Sequence, residues 1–382
     1  MLLKFAAATS SGIPCRETSE LQWRRVTDRQ VQDVLDAGLG PLLFHAMRDT
    51  VEHAPERWRD ALQSADLTAR VRHGSLCDAA GEILDACNAA GIPVTLLKGI
   101  SIADQLYPLA HLRPMGDIDI LVPERDCARV DAMMLRGGYE PKAGYEADEG
   151  EPHQAPLYHP KRDVWVEVHT ALFPKDDPLT LDAQYGASQI ARQQVASTFR
   201  GRPAFRLSRE MQLAYVSSYW LRDLSRNPFH PSFITPLVDA VLLLKAAPRA
   251  PDWDGLLAWL DNEMATAALY VMLSYIAACG LDPSVKPVLS RLAARQHRIG
   301  APELRIITSM IDENLVVGRP FLGQFGVRHP MIARSIFCSM LLPGSHIGKV
   351  LTLPWNVAFP PWIGDRYSFR YQLDRTRRFL QK

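Results

Sequence analysis

Residues 94–122 read VTLLKGISIADQLYPLAHLRPMGDIDILV. The run Val94-Thr95-Leu96-Leu97 is short and β-prone, and it ends on a turn at Lys98-Gly99. Ile100 to Tyr107 then reads as a helix, halted before Pro108 because a residue preceding proline is driven out of helical backbone. Asp117-Ile118-Asp119-Ile120-Leu121-Val122 alternates polar and apolar side chains and is closed by Pro123, which marks a second strand. Strand, glycine turn, helix and strand in that order predict a small mixed sheet with helices packed on it.

The pattern continues on both sides. Upstream, Leu62, Leu67, Val71, Leu76, Ala80, Ile83, Leu84 and Cys87 recur at mostly helical spacing, so a helix is expected from about Asp60 to Ala90 with Gly91 as its stop. Downstream, Arg125 to Gly137 reads as a helix, Ala143 to Pro156 as a polar loop, and Val164-Trp165-Val166-Glu167-Val168-His169 as a clearly alternating strand. Past Pro174 a linker, KDDPLTLD (175–182), leads to helical patterns at Arg209–Leu224, Pro236–Lys245, Trp253–Asn262, Met264–Cys279 and Pro302–Asn314. The expected organisation is an N-terminal helical segment (1–90), an α/β core (91–175), a helical domain (176–318) and a C-terminal segment (319–382) packing on that domain. The fold class is α+β.

Composition narrows the function. A chain of 382 residues with 47% hydrophobic and 22% charged residues is globular, and two or three structural units are expected. The formal charge of +1 gives no whole-molecule field that would select nucleic acid or an anionic membrane. Six scattered cysteines without a Cys-x-x-Cys pair fit a reducing cytosol and inert thiols, and no signal-like run opens the sequence, so a cytoplasmic location is expected. Met264–Cys279 is too short to cross a bilayer and reads as a buried helix ending at Gly280. The segment from Arg319 on holds ten basic residues against two aspartates, with Trp355, Trp362, Tyr367 and Tyr371 among them. Such a segment either contacts a polyanion or wraps the helical domain with solvated arginines.

Strand geometry makes the chemistry. Side chains two residues apart share a face, so Asp117 and Asp119 project together, about 7 Å apart at Cα, while Ile118, Ile120 and Val122 fix the register by burial. Paired carboxylates repel unless a cation neutralises them, and hard oxygen donors favour Mg²⁺ or Mn²⁺. In the later strand Trp165, Glu167 and His169 share one face and three valines the other. If that strand lies beside the first, Glu167 supplies a third carboxylate, and three carboxylates suit the two-metal sites of phosphoryl transfer. Alone, an Asp-x-Asp is a weak signal, because a strand end with water-facing aspartates reads the same. The preceding turn adds to it, since a helix N-terminus offers free N–H groups to phosphate. Arg113 is a candidate phosphate grip or a surface ion pair. His169 is a candidate for nucleotide or acceptor contact, or a hydrogen-bonded strand-end histidine. His153, His159 and His169 lack a cysteine partner or a short helical pair, so zinc is not expected.

The ordered set Leu97-Lys98-Gly99, Leu106-Tyr107-Pro108, Leu112-Arg113, Asp117-Ile118-Asp119-Ile120-Leu121-Val122, Gly138-Tyr139 and Val166-Glu167-Val168-His169 resembles the nucleotidyltransferases of the DNA polymerase β superfamily. Within it, the chain is most similar to the uncharacterised bacterial branch. Weaker similarity runs through Gly40-Pro41-Leu42-Leu43 upstream and through Leu237-Val238-Asp239 and Asp252-Trp253 downstream. The resemblance implies a polymerase β-like domain and transfer of a nucleoside monophosphate from an NTP, ATP first among them, with release of pyrophosphate. It implies that Asp117, Asp119 and Glu167 hold Mg²⁺ or Mn²⁺, with Glu167 helping to deprotonate the nucleophile. It implies that Gly99 and the helix N-terminus after it cradle the β- and γ-phosphates, with Ser101 or Lys98 replacing the hydroxyl contact of the usual turn; Arg113 and His169 stand beside them as the nucleotide-contact candidates read above. Two features depart from the wider superfamily: Lys98-Gly99 stands where Gly-Ser is usual, and Glu167 where Asp is usual. The branch is often encoded beside natural-product or polysaccharide pathways, which by analogy leans the acceptor toward a small molecule, peptide or sugar and away from nucleic acid. The alternative is a catalytically degenerate binding or regulatory module on the same fold.

Overall fold

The computed structural model describes residues 26–48, 51–141, 155–175, 177, 179–226, 234–246, 250–312 and 330–358. The loop expected at 143–156 lies mostly outside them, as do His153, Cys15 and the greater part of the basic C-terminal segment.

Helix α1 (Asp28–Asp36) opens on a capping box: the Thr27 hydroxyl accepts from the Gln30 N–H, and the Gln30 side chain accepts from the Thr27 N–H. After α2 (Gly40–Ala46), α3 (Glu56–Ala89) runs for 34 residues. It stops where the sequence says, because Gly91 adopts a left-handed φ of 69° that lets the Ile92 N–H reach the Cys87 carbonyl at 2.9 Å. Then come β1 (Thr95–Leu96), α4 (Lys98–Leu106), β2 (Asp117–Leu121), α5 (Cys127–Arg136), β3 (Glu140–Pro141), β4 (Leu157–His159) and β5 (Val164–His169). Helix α6 (Ala187–Gln193) leads into β6 (Gln194–Phe199) and β7 (Arg202–Leu207).

All seven strands join one sheet in the order β3-β4-β5-β2-β1-β7-β6. Strand β2 runs parallel to β5 and antiparallel to β1, and β1 runs parallel to β7. On one face Ile118, Ile120, Val164, Val166 and Val168 form a core with Leu76, Ala80, Ile83 and Leu84 of α3 and Val130 and Met134 of α5. Burial of this face sends Asp117, Asp119, Glu167 and His169 to the other. The sheet extends past the boundary expected at 175. The β6–β7 hairpin, in a region read as mostly helical, contributes β7 as a neighbour of β1. Its turn residues Arg200 and Gly201 both have positive φ (47° and 81°), as a tight hairpin turn requires.

Beyond β7 the described chain is helical: α7 (Arg209–Arg226), α8 (Ile234–Lys245), α9 (Trp253–Trp259), α10 (Glu263–Ala278), α11 (Lys286–Ala293), α12 (Ala301–Asp312), α13 (Pro330–Leu341) and α14 (His346–Ala358). Helix α10 is the anticipated buried helix: Asn262 caps it by accepting from the Met264 and Ala265 N–H groups, and its side chains are buried nearly all round. Helix α14 is tied down by Lys349, whose buried ammonium donates to the Met340 and Arg298 carbonyls and lies 3.5 Å from Glu303. Arg334 of α13 donates to the Ser225 carbonyl at the end of α7. Among the described residues no helix is long and apolar enough to cross a membrane.

Burial raises the thiol pKa to about 11 at Cys77 and Cys87 and about 12 at Cys338. Because the thiolate is the nucleophile, these three are expected to resist a disulfide reagent at pH 8 in the native protein and to react on unfolding. Mass mapping of labelled native protein checks this, and rapid native labelling at any of the three would contradict it.

Candidate active site

Five side chains meet beside the first half of β2, where β1 and β5 end. Parallel pairing of β2 with β5 sets Asp117 opposite Trp165, Asp119 opposite Glu167 and Leu121 opposite His169. The condition the sequence left open is therefore met, and Glu167 stands beside Asp119. His169, one step farther on the same face, is buried with its Nε2 2.8 Å from Asp119 Oδ1 and 3.4 Å from Glu167 Oε2.

Lys98 completes the group from the start of α4. The Leu97 N–H donates to the Asp119 carbonyl at 3.1 Å, which pins the turn to β2. The next residue carries the reversal, and it is Lys98, not Gly99, that takes the left-handed conformation, at φ 41°. A non-glycine residue there costs about 1–3 kcal/mol and persists only where its surroundings hold it. The ammonium is held by Asp119, Nζ to Oδ1 at 2.7 Å. Gly99 serves a different purpose from the turn glycine expected: a Cβ at 99 would come within 2.7 Å of Arg113 Nη1 and 3.0 Å of the Met115 thioether.

Charge is strongly redistributed in this cluster. Asp117 is pushed up to about 7 by burial and by the neighbouring Asp119 and Glu167 carboxylates. Burial works the same way on Asp119, but the Lys98 ammonium and His169 outweigh it and hold the carboxyl well below the usual range. Burial also opposes the outcome at Glu167, which the His169 hydrogen bond lowers. His169 is raised despite its burial by its bonds to Asp119 and Glu167, and Lys98 is raised despite its burial by Asp119.

A cleft of about 600 Å³ opens over these groups. Lys98, Gly99, Asp117, Asp119, Glu167 and His169 line one wall; Tyr215, Tyr219, Arg222 and Thr235 line the facing one. Arg222 donates to Asp177 at 2.8 Å. The Tyr219 hydroxyl and the Thr235 Oγ1 are buried and have no hydrogen-bond partner among the described residues. The facing wall escaped the sequence reading, although Tyr215, Tyr219, Arg222 and Arg226 recur at helical spacing and so share one helix face.

Of the expected nucleotide contacts, Ser101 lies outside the cleft and Arg113 lines it while paired elsewhere. Ser101 is buried below the turn and does not line the cavity. Arg113 lines it but gives Nε and Nη2 to Asp239, at 2.7–3.1 Å, and Nη1 to its own neighbour's Pro114 carbonyl. His159 packs edge-on against Tyr139, away from His169.

One donor atom each from Asp119, Glu167 and His169 lie within 4.8 Å of one another, with Asp117 two residues along the same strand face. Carboxylate oxygens in that majority suit a hard divalent cation such as Mg²⁺ or Mn²⁺.

The family described as "Uncharacterised nucleotidyltransferase" matches residues 22–280, a stretch that contains every residue lining the cleft. The chain belongs to this nucleotidyltransferase family. A solved structure similar to this nucleotidyltransferase is that of the antibiotic-resistance factor ANT(2'')-Ia, at 14% identity and a TM-score of 0.33, covering 53% of this chain and 94% of that one. No curated protein matches the chain.

Proposed function

We propose that the protein transfers a nucleoside monophosphate from an NTP, ATP first, to a small-molecule, peptide or sugar acceptor, with release of pyrophosphate. The observation that carries this reading is the β2–β5 register, which sets Asp119 against Glu167 at the mouth of a cleft that also receives the N-terminus of α4. Asp117, Asp119 and Glu167 are the proposed holders of Mg²⁺ or Mn²⁺. Bound there, the metal supplies Lewis-acid stabilisation of the transferring phosphoryl group. Glu167 accepts the acceptor's proton, with His169 fixing its orientation. The N–H groups at Gly99 and the first turn of α4, with Lys98 as a point charge, receive the β- and γ-phosphates. Tyr219 and Thr235 carry unmet hydrogen-bonding capacity across the cleft, a polar wall for the rest of the nucleotide or for the acceptor.

The test is thermal unfolding with each NTP, with and without Mg²⁺, beside the Asp117→Asn/Asp119→Asn double variant. A ligand at 100 times its dissociation constant adds about 2.7 kcal/mol to the native state, a shift of several degrees. A Mg²⁺-dependent shift in the natural protein that is lost in the double variant is the expected result. No shift with any nucleotide would overturn the NTP assignment.

A further inference from the structure

Lys98 is doing something more specific than waiting for phosphate. Its Nζ sits 2.7 Å from Asp119 Oδ1, the same oxygen that His169 Nε2 approaches at 2.8 Å. Asp119 is buried, and so is most of the lysine side chain that reaches it. The backbone at 98 is held in left-handed space, which a lysine does not choose by itself. The ion pair is thus maintained against local conformational preference, with the Leu97 N–H to Asp119 carbonyl bond fixing its base.

Resting on the metal-dependent reading above, we infer that the Lys98 ammonium is a resident cation on Asp119, which a divalent ion displaces. The freed ammonium then pairs with the incoming phosphates. An ammonium and a divalent ion repel each other at this range, so one carboxylate cannot serve both at full strength. Asp119, the member nearest to all the others, is therefore poorly available to a free metal ion. A nucleotide changes the balance from both sides: its phosphates bring the metal, and they offer Lys98 a replacement anion. Mg²⁺ is commonly bound by one or two carboxylates together with substrate phosphates, which fits delivery of metal and nucleotide as one unit. Free metal alone does not complete the site, and this guards the acids against idle occupancy.

Titration of the full-length protein with Mn²⁺, read by the loss of the free-ion electron paramagnetic resonance signal, tests the exchange without any turnover. Four proteins are compared: the natural chain, Lys98→Met, Lys98→Gly and Lys98→Arg. Lys98→Gly relieves the left-handed backbone, so a folding defect in Lys98→Met does not decide the result. Circular dichroism confirms the fold of each. Without nucleotide, Lys98→Met and Lys98→Gly are expected to bind Mn²⁺ about tenfold more tightly than the natural chain, and Lys98→Arg to stay weak. With a non-hydrolysable ATP analogue the natural chain tightens strongly on Mn²⁺, and the two neutral variants gain much less, because their lysine is no longer there to be released. Mn²⁺ affinity unchanged or weaker in both neutral variants, while the natural chain with the analogue binds Mn²⁺ well, overturns the displacement and leaves the metal site standing. No Mn²⁺ binding by any of the four, with or without the analogue, overturns both.

Discussion

Asp239→Ala is expected to cost about 3–5 kcal/mol of stability, the typical loss when one partner of a buried ion pair is removed and the other stays behind. Asp239 is fully buried on α8 and accepts three bonds from the Arg113 guanidinium, the shortest at 2.7 Å, and a fourth from the Tyr107 hydroxyl at 2.9 Å. Arg113 is itself buried, and although burial pushes its pKa down, Asp239 outweighs this and keeps it charged. Truncation leaves a charged fork and a phenol without partners in the same interior, so the desolvation cost of both is exposed at once. Urea unfolding followed by circular dichroism measures it. Arg113→Lys should recover little of the natural geometry, since an ammonium cannot make the forked contact. The double variant Arg113→Met/Asp239→Leu should regain most of the loss, because a well-packed apolar pair is often no worse than a buried ion pair. A single-variant loss under about 1 kcal/mol would show that the pair is not desolvated. The same bonds tie the loop before β2 to α8, and the Arg113 guanidinium closes the space above Gly99 while still lining the cleft.

The Arg113–Asp239 pair marks where sequence reading stops. The alternation in Val164–His169 gave a strand with those same bounds, and the aspartates of β2 were placed on one face, because period-two burial is written locally. The stop of α3 at Gly91 was equally local. The partner of Arg113 stands 126 residues away on a helix whose pattern says only that it is buried, so nothing near Arg113 distinguishes a clamp from a phosphate contact. The β6–β7 hairpin was invisible for a different reason. Its turn is Arg200-Gly201 in place of the usual Asn-Gly or Asp-Gly, and β6 is an edge strand with Val195 half exposed, so its apolar alternation is blurred. The left-handed Lys98 could not be foreseen at all: with a glycine next to it, composition assigns the reversal to the glycine, and only the packing of Arg113 and Met115 against Gly99 shows otherwise. Four of the five charged groups, Asp117, Asp119, Glu167 and His169, were thus placed by strand logic, and the contacts that set their charge came from long-range pairing.

Those charges give opposite expectations for the two aspartates of β2. Asp119→Asn should lower turnover by about a thousandfold, equivalent to roughly 4 kcal/mol of transition-state stabilisation, because a neutral amide cannot hold the proposed metal. It should also destabilise the metal-free protein, since the buried Lys98 ammonium loses its anion. Asp117→Asn should abolish turnover to a similar degree and yet raise the melting temperature of the metal-free protein at pH 8. The sign follows from linkage: Asp117 has a folded pKa of about 7, above its ordinary value of 3.8, so its ionisation penalises the native state. The penalty is absent below about pH 4, grows between the two values and is complete above pH 7, so the stabilising effect of the amide should vanish in acid. Transfer of label from α-³²P-ATP to fractionated small-molecule extract reads turnover, and scanning at pH 4 and pH 8 in a chelator reads stability. Near-normal label transfer by Asp119→Asn would sink the metal assignment. Glu167→Asp separates an active enzyme from a degenerate module. The shorter side chain draws back from His169, so an active protein loses rate, whereas a protein that gains activity on this change was catalytically silent as it stood.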